Sequence, residues 1–353
     1  MKVVLLRGHN VNPWELRPWE RLADQYDVRV LVTGSNRFDV SGLGLRREPI
    51  RALRDIVRSD TAVKGPGDRY LGLEGALAGA DIVHSAELGV WFSHQPAMLK
   101  EKLGFKLVLT VWETIPFRAT YRAFRGRAYR ETTIPQVDLF LAATERARDC
   151  LLLEDVPADR IEVCPPGVDF AGTRGEPEGL VVSPGRLVWE KGHQDVLRAL
   201  AALRRGLVAG EAPRLLIVGS GPEESRLRRY AEDLGVADLV ELRGDVPYSE
   251  MPAVFARASC VVLASLPTPL WEEQFGMVLS EAMSAGVPVV ASESGAIPEV
   301  VGDSAVLFRP GDWLGLARAL AGPLTAPDSA LAERYSTEAA AKRIAAAYDR
   351  VLG

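Results

Sequence analysis

Residues 260 to 300 read CVVLASLPTPLWEEQFGMVLSEAMSAGVPVVASESGAIPEV, and two carboxylates, Glu273 and Glu281, stand eight positions apart within them. The apolar runs near the two ends, Cys260 to Ala264 and Val287 to Ala291, predict buried strands. Between them the sequence predicts a loop with two prolines and then a helix. In folds that alternate strands with helices, ligands bind where a strand ends and a helix begins, because free helix amides point into that crevice. Both glutamates therefore lie in a predicted ligand-binding segment.

Glu281 falls in the second turn of the predicted helix. Its Cα–Cβ bond tilts toward the helix N-terminus, so the carboxylate can lie beside an anion bound there without occupying its place. This position suits a neutral polyhydroxyl group attached to a phosphate, such as a ribose.

Length and composition predict a two-domain globular protein. The chain has 353 residues, of which 47% are hydrophobic and 25% charged, and a single core rarely grows to this size. Its net charge of −5 argues against a nucleic-acid partner. No apolar run approaches the roughly 20 residues of a membrane span, and the N-terminal MKVVLLRGHN predicts a first strand rather than a signal peptide. We therefore expect a cytoplasmic protein.

Short apolar runs alternate with helical stretches in both halves, which predicts parallel sheets covered on both faces. A linker rich in glycine, proline and charge, residues 171 to 179, marks the domain boundary. We predict Rossmann-like domains over residues 1 to 170 and 171 to 335, and a last helix over residues 336 to 353 that packs back toward the first domain. The predicted strands are Val3–Leu6, Val28–Val32, Asp81–Val83, Lys106–Val111, Val137–Ala142, Ile161–Val163, Leu180–Ser183, Arg214–Val218, Leu239–Leu242, Cys260–Ala264, Val287–Ala291 and Ala305–Phe308.

The loop after the first strand of the second half carries two cations. It reads SPGRLVWEKGHQDVL, residues 183 to 197, and Arg186 and Lys191 flank a turn that leads into a helix at Gly192. A guanidinium, an ammonium group and free helix amides together can hold a diphosphate. Taken alone, however, such a pair is more often two solvated surface charges.

The next strand ends in VGSGPEES, residues 218 to 225. This segment resembles a dinucleotide fingerprint, but Glu224 stands where the third glycine should be. Contact of Gly219 with a nucleotide and a simple tight turn that opens a helix are equally good interpretations.

Four segments occur in order and at matching spacing: GRLVWEKG, VGSGPE, RGDVP and EEQFGMVLSEAMSAGVPVVASESGAIPEVV. Together they resemble the C-terminal domain of the retaining glycosyltransferases of family 4, the glycosyl transferases group 1, which have the GT-B fold. The resemblance covers residues 180 to 322 closely and the N-terminal half only in outline. It implies an α/β protein of two doubly wound, Rossmann-like domains that face a central cleft.

The resemblance also implies roles for single residues. Arg186 and Lys191 match the basic pair that stabilises a leaving nucleoside diphosphate. Glu273 matches the carboxylate that contacts hydroxyls of the donor sugar, and Glu281 the one that binds the ribose hydroxyls. The remaining implied donor contacts are the backbone of Phe275, Gly276, Met277 and Val278 for the distal phosphate and sugar, Arg243, Gly244 and Asp245 for the base, and Gly219.

The sequence shows no Asp-any-Asp motif and no His/Cys ligand cluster. We therefore expect no metal and no cofactor, with the protein's own cations neutralising the diphosphate of the co-substrate.

The N-terminal half departs from the family pattern in two loops. LRGHNVNPW has the single Gly8 where the family often has a glycine-rich loop, and His9 or Asn10 could face the acceptor. In LTVWETIPF, Trp112 and Glu113 stand where many members have a His and Asp pair. Trp112 could stack on a sugar and Glu113 could orient the acceptor, or Trp112 could simply be a buried residue at a strand end.

Two arginine clusters have no place in this scheme. Arg47, Arg51, Arg54 and Arg58 would share one face of a helix, and FRATYRAFRGRAYR, residues 117 to 130, interleaves five arginines with four aromatics. Such helices could dock on the inner face of a membrane or capture an anionic acceptor. Solvated outer faces of ordinary helices are the more common alternative.

The sequence thus predicts a metal-independent, retaining hexosyltransferase. It would use a nucleotide sugar of the GDP-mannose or UDP-glucose type and a hydroxyl acceptor such as a saccharide, a lipid-linked glycan or a small polyol. Two alternatives stay open: a NAD-dependent oxidoreductase built on Val218 to Ser225, and a non-catalytic nucleotide-sugar binding protein. The base, the sugar, the acceptor and the oligomeric state are not determined by the sequence.

Overall fold

The computed structural model describes residues 1–57, 69–168 and 175–353. The chain forms two compact units. The first comprises Met1–Gly167 together with Ser336–Gly353, and the second comprises Val168–Tyr335.

The first unit is built on an eight-stranded sheet with helices between the strands. Its strands are β1 (Lys2–Leu5), β2 (Asp27–Thr33), β3 (Arg46–Ala52), β4 (Tyr70–Leu71), β5 (Ile82–Ala86), β6 (Lys106–Val111), β7 (Leu139–Ala142) and β8 (Ile161–Val163). The helices between them are α1 (Pro13–Glu20), α2 (Leu53–Ile56), α3 (Leu73–Leu77), α4 (Trp91–Leu103), α5 (Ala119–Arg122), α6 (Phe124–Gln136) and α7 (Glu145–Leu153). The strand order is β4-β3-β2-β1-β5-β6-β7-β8, and every pair except β3–β4 is parallel.

The second unit has a six-stranded, fully parallel sheet in the order β11-β10-β9-β12-β13-β14. Its strands are β9 (Leu180–Pro184), β10 (Arg214–Val218), β11 (Val240–Arg243), β12 (Ala258–Leu263), β13 (Val289–Ser292) and β14 (Ala305–Phe308). Its helices are α8 (His193–Arg204), α9 (Glu224–Asp233), α10 (Met251–Ala256), α11 (Met277–Ser284), α12 (Ile297–Val301), α13 (Trp313–Ala321) and α14 (Ser329–Arg334). The last helix, α15 (Thr337–Leu352), belongs to the first unit. The prediction of two Rossmann-like domains is confirmed.

The apolar strands are buried on both faces of each sheet, which is why they read as continuous hydrophobic runs. In β1, Val3 and Leu5 pack into a cluster on one face, while Val4 and the following Leu6 pack into a separate cluster on the other. All four side chains are fully buried. Residues that alternate in direction along a strand thus contribute to two cores at once.

The strand order reverses beside one strand in each sheet. In the first sheet β1 lies between β2 and β5, and in the second β9 lies between β10 and β12. Connections leave such a strand in opposite directions, so a crevice opens at its carboxyl end, where doubly wound folds bind ligands. A ligand site is therefore expected in the loops after β1 and β5 or in those after β9 and β12.

The prediction that the first arginine cluster lies on one helix is wrong. Arg47 and Arg51 lie on β3, which pairs in parallel with β2, and only Arg54 lies in the short helix α2. Pro49, which lacks an amide hydrogen, disfavours a helix here and is tolerated because β3 has only the two-residue β4 beyond it. Side chains of this outer strand, including Arg47 and Arg51, reach solvent. Because these two arginines are four residues apart, their spacing also fits one face of a helix. Arg58 lies outside the described residues.

Arginines of the second cluster, on α5 and α6, mostly pair with acids of their own unit. Arg118 pairs with Glu113, and the buried Arg130 lies 2.5 Å from a carboxylate oxygen of Glu154. Arg127 pairs with Glu131 one turn further along α6, at 2.7 Å. Much of the positive charge in this cluster is therefore compensated locally. No helix in the described part of the chain is long and apolar enough to cross a bilayer.

A buried polar network anchors α15 to the first unit. Trp19 Nε1 donates to Tyr348 Oη at 2.8 Å, and His84 Nδ1 lies 2.7 Å from the same oxygen. His84 Nε2 lies 2.8 Å from Thr110 Oγ1. Burial, with a smaller contribution from Arg7, holds the pKa of His84 well below its ordinary value. The imidazole is therefore neutral and has one donor and one acceptor for its two partners.

We predict that Tyr348→Phe destabilises the protein by about 2 to 4 kcal/mol, because it leaves two buried groups, Trp19 Nε1 and His84 Nδ1, without their partner. Tyr26→Phe is the matched control, since its hydroxyl makes one hydrogen bond of 3.2 Å to the exposed Asp349. We expect this control to cost under about 1 kcal/mol. Denaturant unfolding of the full chain measures both values, and similar small losses would contradict the role of the network.

Candidate active site

The loop between β9 and α8 is held against the end of β12 by a glycine. Gly192 has φ +71°, and a Cβ there would lie 1.8 Å from the carbonyl oxygen of Ala264. A side chain at this position would have to push the two segments apart. This contact brings Lys191, one residue earlier, to the loop that carries Glu273.

Lys191 and Glu273 form an ion pair across 82 residues of sequence. Lys191 Nζ donates to Glu273 Oε2 at 2.7 Å, and the two side chains are only 14% and 11% exposed. Ser265 Oγ donates to the same oxygen at 2.8 Å. Among the described residues, Glu273 Oε1 accepts no hydrogen bond. Lys191 also lies over the ring of Trp271, with Nζ 5.2 Å from the centroid.

The main chain of Glu273 is fixed by the loop after β13. The amide of Ala296 donates to the Glu273 carbonyl oxygen at 2.9 Å. Gly295, with φ +58°, packs so closely that a Cβ would lie 2.1 Å from that oxygen. The ends of β12 and β13 therefore set the position of Glu273 together.

Helix α11 begins directly after this carboxylate. Gly276 precedes it in a left-handed conformation, φ +82°. The amides of Met277 and Val278 lie in the first helical turn, where backbone donors lack intrahelical acceptors. The side chain of Phe275 is 2% exposed and contacts Tyr335 edge to face, with centroids 5.3 Å apart. Phe275 can thus offer a ligand only its backbone.

Glu281 is buried in α11, with 7% of its surface exposed. Burial raises its pKa to about 7, and a hydrogen bond from the side chain of Tyr248 offsets part of this shift. A carboxyl group with this pKa is half ionised near neutral pH, so a ligand that donates hydrogen bonds favours its ionised form.

Arg186 is exposed in the loop after β9. Across residues 1–57, 69–168 and 175–353, its guanidinium makes no hydrogen bond or ion pair. Its carbonyl oxygen lies 3.2 Å from His193 Nε2. The side chain is thus available to an anion while its backbone is held in place.

His193 is a residue that the sequence did not single out. It is 1% exposed, and burial lowers its pKa to about 4. Because a carbonyl oxygen only accepts, the neutral ring donates from Nε2 to Arg186, and Nδ1, 2.9 Å from Ser183 Oγ, accepts. His193 therefore fixes the loop that carries Arg186. The one local indication was its place at the start of a helix directly after Gly192.

Gly219 and Gly221 allow their turn to pack closely against the main chain of a neighbouring loop. Gly219 has φ +134°, and a Cβ there would lie 2.1 Å from the carbonyl oxygen of Gly185. At Gly221 a Cβ would lie 2.4 Å from that of Leu187. The turn thus packs directly against the loop of Arg186, which explains both glycines without a nucleotide.

The resemblance assigns three residues to the base: Arg243, the last residue of β11, and Gly244 and Asp245 directly after it. All three are exposed. Asp245 Oδ2 accepts a hydrogen bond of 2.6 Å from Ser220 Oγ, which ties this loop to the one after β10. The structure thus brings the loops after β9, β10, β11 and β12 to one edge of the second sheet.

In the first unit, the loop after β1 is packed rather than open. Gly8 has φ +61° and donates its amide to Tyr70 Oη at 2.9 Å. The side chain of His9 is 7% exposed, and its carbonyl oxygen accepts from Arg37 at 3.0 Å. Asn10 is partly buried.

The loop after β6 holds Trp112 and Glu113. Glu113 is 3% exposed, and its Oε1 accepts from the amides of Thr114 and Ile115 at 3.1 and 2.9 Å. Its Oε2 pairs with Arg118. Both oxygens of Glu113 thus stabilise its own loop. Trp112 is half-buried and lines a small internal cavity.

Glu87 is a second residue that sequence reasoning missed. It follows β5, beside the strand-order reversal of the first sheet, and has an unusual positive φ of 63°. Its Oε1 accepts from the Trp112 amide at 3.0 Å. Burial, together with the charges of Glu113 and Glu15, raises its pKa to about 8, although the Trp112 amide and Arg118 lower it. Only its position at the end of a buried strand could have pointed to it.

Within the residues that the structure describes, no group of three or more His, Cys, Asp or Glu side chains is placed to hold a metal ion.

Comparisons with known proteins agree with this architecture. The family model described as glycosyl transferases group 1 matches residues 169–343, and the model described as glycosyltransferase family 4 matches residues 19–171. The 2-deoxystreptamine glucosyltransferase of Streptomyces kanamyceticus is 30% identical over 289 residues, which cover 77% of this chain and 70% of that enzyme. The chain therefore belongs to glycosyltransferase family 4, the glycosyl transferases group 1.

Other relatives are similar over part of their length or in fold only. The GDP-mannose-dependent alpha-(1-6)-phosphatidylinositol monomannoside mannosyltransferase of Mycobacterium tuberculosis is 37% identical over 161 residues, 41% of each protein. The chain thus matches about two fifths of this relative's length. Anabaena HepE, solved in complex with UDP, is 17% identical and has a TM-score of 0.74 over 99% of this chain and 100% of that one. The GT-B fold class is confirmed by this similarity.

We predict that Glu281→Gln stabilises the protein at pH 8 but not at pH 4.5. The folded-state pKa of about 7 lies above the ordinary value of 4.5. Below pH 4.5 the carboxyl is protonated in both states, so it costs nothing. As the pH rises from 4.5 to about 7, the unfolded state loses its proton first. The free energy of unfolding therefore falls by about 3 kcal/mol.

Thermal melting of Glu281→Gln at several pH values checks this prediction. The gain in melting temperature over wild type should grow from pH 5 to pH 8. Glu232→Gln, an exposed change on α9, should shift melting little at any pH. A gain that is the same at pH 5 and pH 8 would show that ionisation is not its cause.

Proposed function

We propose that this chain transfers a hexosyl group from a nucleotide-diphosphate sugar to an acceptor hydroxyl, with retention at the anomeric carbon. The observation that carries the proposal is the pair of Lys191 and Glu273, 2.7 Å apart. A cation suited to a diphosphate and a carboxylate with one free oxygen lie side by side at the end of β12 and the start of α11. In a nucleotide sugar the diphosphate is bonded directly to the sugar, so one donor would meet both groups.

The diphosphate would be bound by charge and by helix amides. Lys191 supplies a partly buried ammonium group, and Arg186 an exposed guanidinium without a partner among the described residues. The first-turn amides of α11, from Met277 and Val278, would receive the distal phosphate. These groups stabilise the negative charge that develops as the nucleoside diphosphate leaves, so no metal ion is needed for that task.

The two glutamates would accept hydrogen bonds from hydroxyl groups of the donor. Glu273 Oε1 is directed to the sugar because Oε2 already accepts from Lys191 and Ser265. Glu281 would accept hydrogen bonds from the ribose hydroxyls, which favour its ionised form and so lower its raised pKa on binding. Neither glutamate acts as a general base. The acceptor attacks from the side that the diphosphate leaves, and the leaving phosphate takes the acceptor's proton.

The donor is of the GDP-mannose or UDP-glucose type. In support, the mycobacterial relative is named as GDP-mannose-dependent, and Anabaena HepE was solved with UDP and with UDP-glucose. The exposed loop of Arg243, Gly244 and Asp245 would contact the base.

The acceptor would be held by the first unit. Glu87 offers a carboxyl whose Oε2 has no hydrogen-bond partner within the described residues, and the half-buried Trp112 lies next to it through its amide. Glu113 is less suited, since both of its oxygens are engaged in its own loop. The named relatives act on 2-deoxystreptamine and on a phosphatidylinositol monomannoside, so a polyol or a lipid-linked glycan fits the class. For the lipid case, the enzyme would work at the cytoplasmic face of the membrane.

A nicotinamide enzyme is the weaker candidate. It would need Gly219 and Gly221 for a dinucleotide, whereas both glycines are required by contacts with Gly185 and Leu187.

A thermal-shift panel with GDP, UDP, ADP, dTDP, their sugars and NAD tests the class of ligand. Binding to the native state alone stabilises by about 2.7 kcal/mol at a concentration of 100 times Kd. We expect one nucleoside diphosphate and its sugars to raise the melting temperature and NAD to leave it unchanged. Stabilisation by NAD alone would overturn the proposal.

Variants of the site test the mechanism. Arg186→Ala and Lys191→Ala should slow transfer by roughly 100-fold or more, since each removes a charge that stabilises the leaving group. Glu281→Ala should mainly weaken donor binding. Release of nucleoside diphosphate, with free hexoses and inositol as acceptors, measures transfer. Arg205→Ala, an exposed change at the end of α8, is the control for lost positive charge. Wild-type turnover in all three site variants would contradict the assignment.

A further inference from the structure

Two buried serines form a series of hydrogen bonds that ends at the carboxylate of Glu273. Ser292 Oγ donates to the carbonyl oxygen of Ser265 at 2.6 Å, and Ser265 Oγ donates to Glu273 Oε2 at 2.8 Å. Both serines are 0% exposed. They stand at the ends of neighbouring parallel strands, β12 and β13.

These hydrogen bonds leave one carboxylate oxygen of Glu273 without a partner. Lys191 and Ser265 both donate to Oε2, and Oε1 accepts from no described residue. An ionised carboxylate has only acceptors, so the single hydroxyl proton of Ser265 must point at it. The bond from Ser265 thus favours one orientation of the carboxylate plane, with Oε1 left without a protein donor.

Ser265 and Lys191 differ in what happens when a diphosphate arrives. The ammonium group of Lys191 is drawn toward the phosphates and can share its protons with them. The hydroxyl of Ser265 is fully buried and uncharged, so it keeps its bond to Oε2. With a donor bound, Ser265 therefore remains hydrogen-bonded to Glu273 and keeps its carboxylate oriented.

We propose that Ser265 is a positioning residue that aims Glu273 Oε1 at the sugar of the donor and so lets the site distinguish a nucleotide sugar from the nucleoside diphosphate alone. This inference rests on the proposed function of Glu273. Ser292 acts indirectly, because its hydroxyl donates to the carbonyl oxygen of Ser265. Removing the Ser292 hydroxyl should therefore have the same effect in weaker form.

The test is to measure Kd by titration calorimetry for GDP-mannose, UDP-glucose, GDP and UDP. Ser265→Ala should weaken binding of the preferred nucleotide sugar about tenfold, as loss of a hydrogen bond to a charged group does. The Kd of the matching nucleoside diphosphate should change less than about twofold, since its contacts lie elsewhere. Ser265→Thr, which retains a hydroxyl, should restore much of the discrimination, and Ser292→Ala should reduce it by a smaller factor.

Ser280→Ala is the matched control. Ser280 is 1% exposed in the same unit, and its hydroxyl has no hydrogen-bond partner among the described residues. This variant should bind both ligands as wild type does.

Equal loss of both ligands in Ser265→Ala would overturn the inference, because it would indicate general distortion of the site. Unchanged discrimination would overturn it as well. If Ser265→Ala does not fold, the same comparison is made with Ser292→Ala, and intact discrimination there counts against the inference. A wild-type protein that binds none of the four ligands would overturn the proposed function itself, whereas wild-type binding without an effect at Ser265 removes only this inference.

Discussion

The ion pair between Lys191 and Glu273 is the interaction on which the proposed site depends. It joins two loops that leave neighbouring strands, β9 and β12, at the point where the strand order of the sheet reverses. A partly buried pair of this kind requires good geometry and further hydrogen bonds to offset the loss of hydration. Ser265 supplies one such bond, and Gly192 and Gly295 allow the backbones to approach closely enough. Lys191 and Glu273, the groups proposed to bind the donor, are therefore held in place by contacts within the protein.

Each unit holds an acid whose burial disfavours the ionised form and so costs stability above neutral pH. Glu281 and Glu87 have pKa values raised to about 7 and about 8, chiefly by burial. An apolar or amide side chain at either position would avoid this cost. Carboxyl groups held in this way commonly belong to functional sites, since a bound hydroxyl or cation offsets the penalty. Glu87 directly follows β5 in the first unit, and Glu281 lies in α11 in the second.

Several parts of the fold and site were predictable from local pattern. Strands such as Lys106–Val111 and Arg214–Val218 match the apolar runs residue for residue, because burial on both faces leaves a continuous hydrophobic run. β3 was missed, since an outer strand with Arg47 and Arg51 exposed has no such run. The spacing of its arginines also fits a helix, and only pairing with β2 distinguishes the two.

By itself, the sequence determined the class of fold, the family and the set of candidate residues, because strand periodicity and motif spacing are local properties of a chain. Tertiary structure alone decided that Glu273 is paired through one oxygen, that His193 holds the Arg186 loop, that Glu113 is engaged in its own loop, and that Glu87 lies beside Trp112. Hydrogen-bond partners and the hydration of a charged group depend on which distant segments meet. Residues 260 to 300 therefore contain both carboxylates, but only the approach of Lys191 and Ser265 decided which oxygen of Glu273 is already hydrogen-bonded.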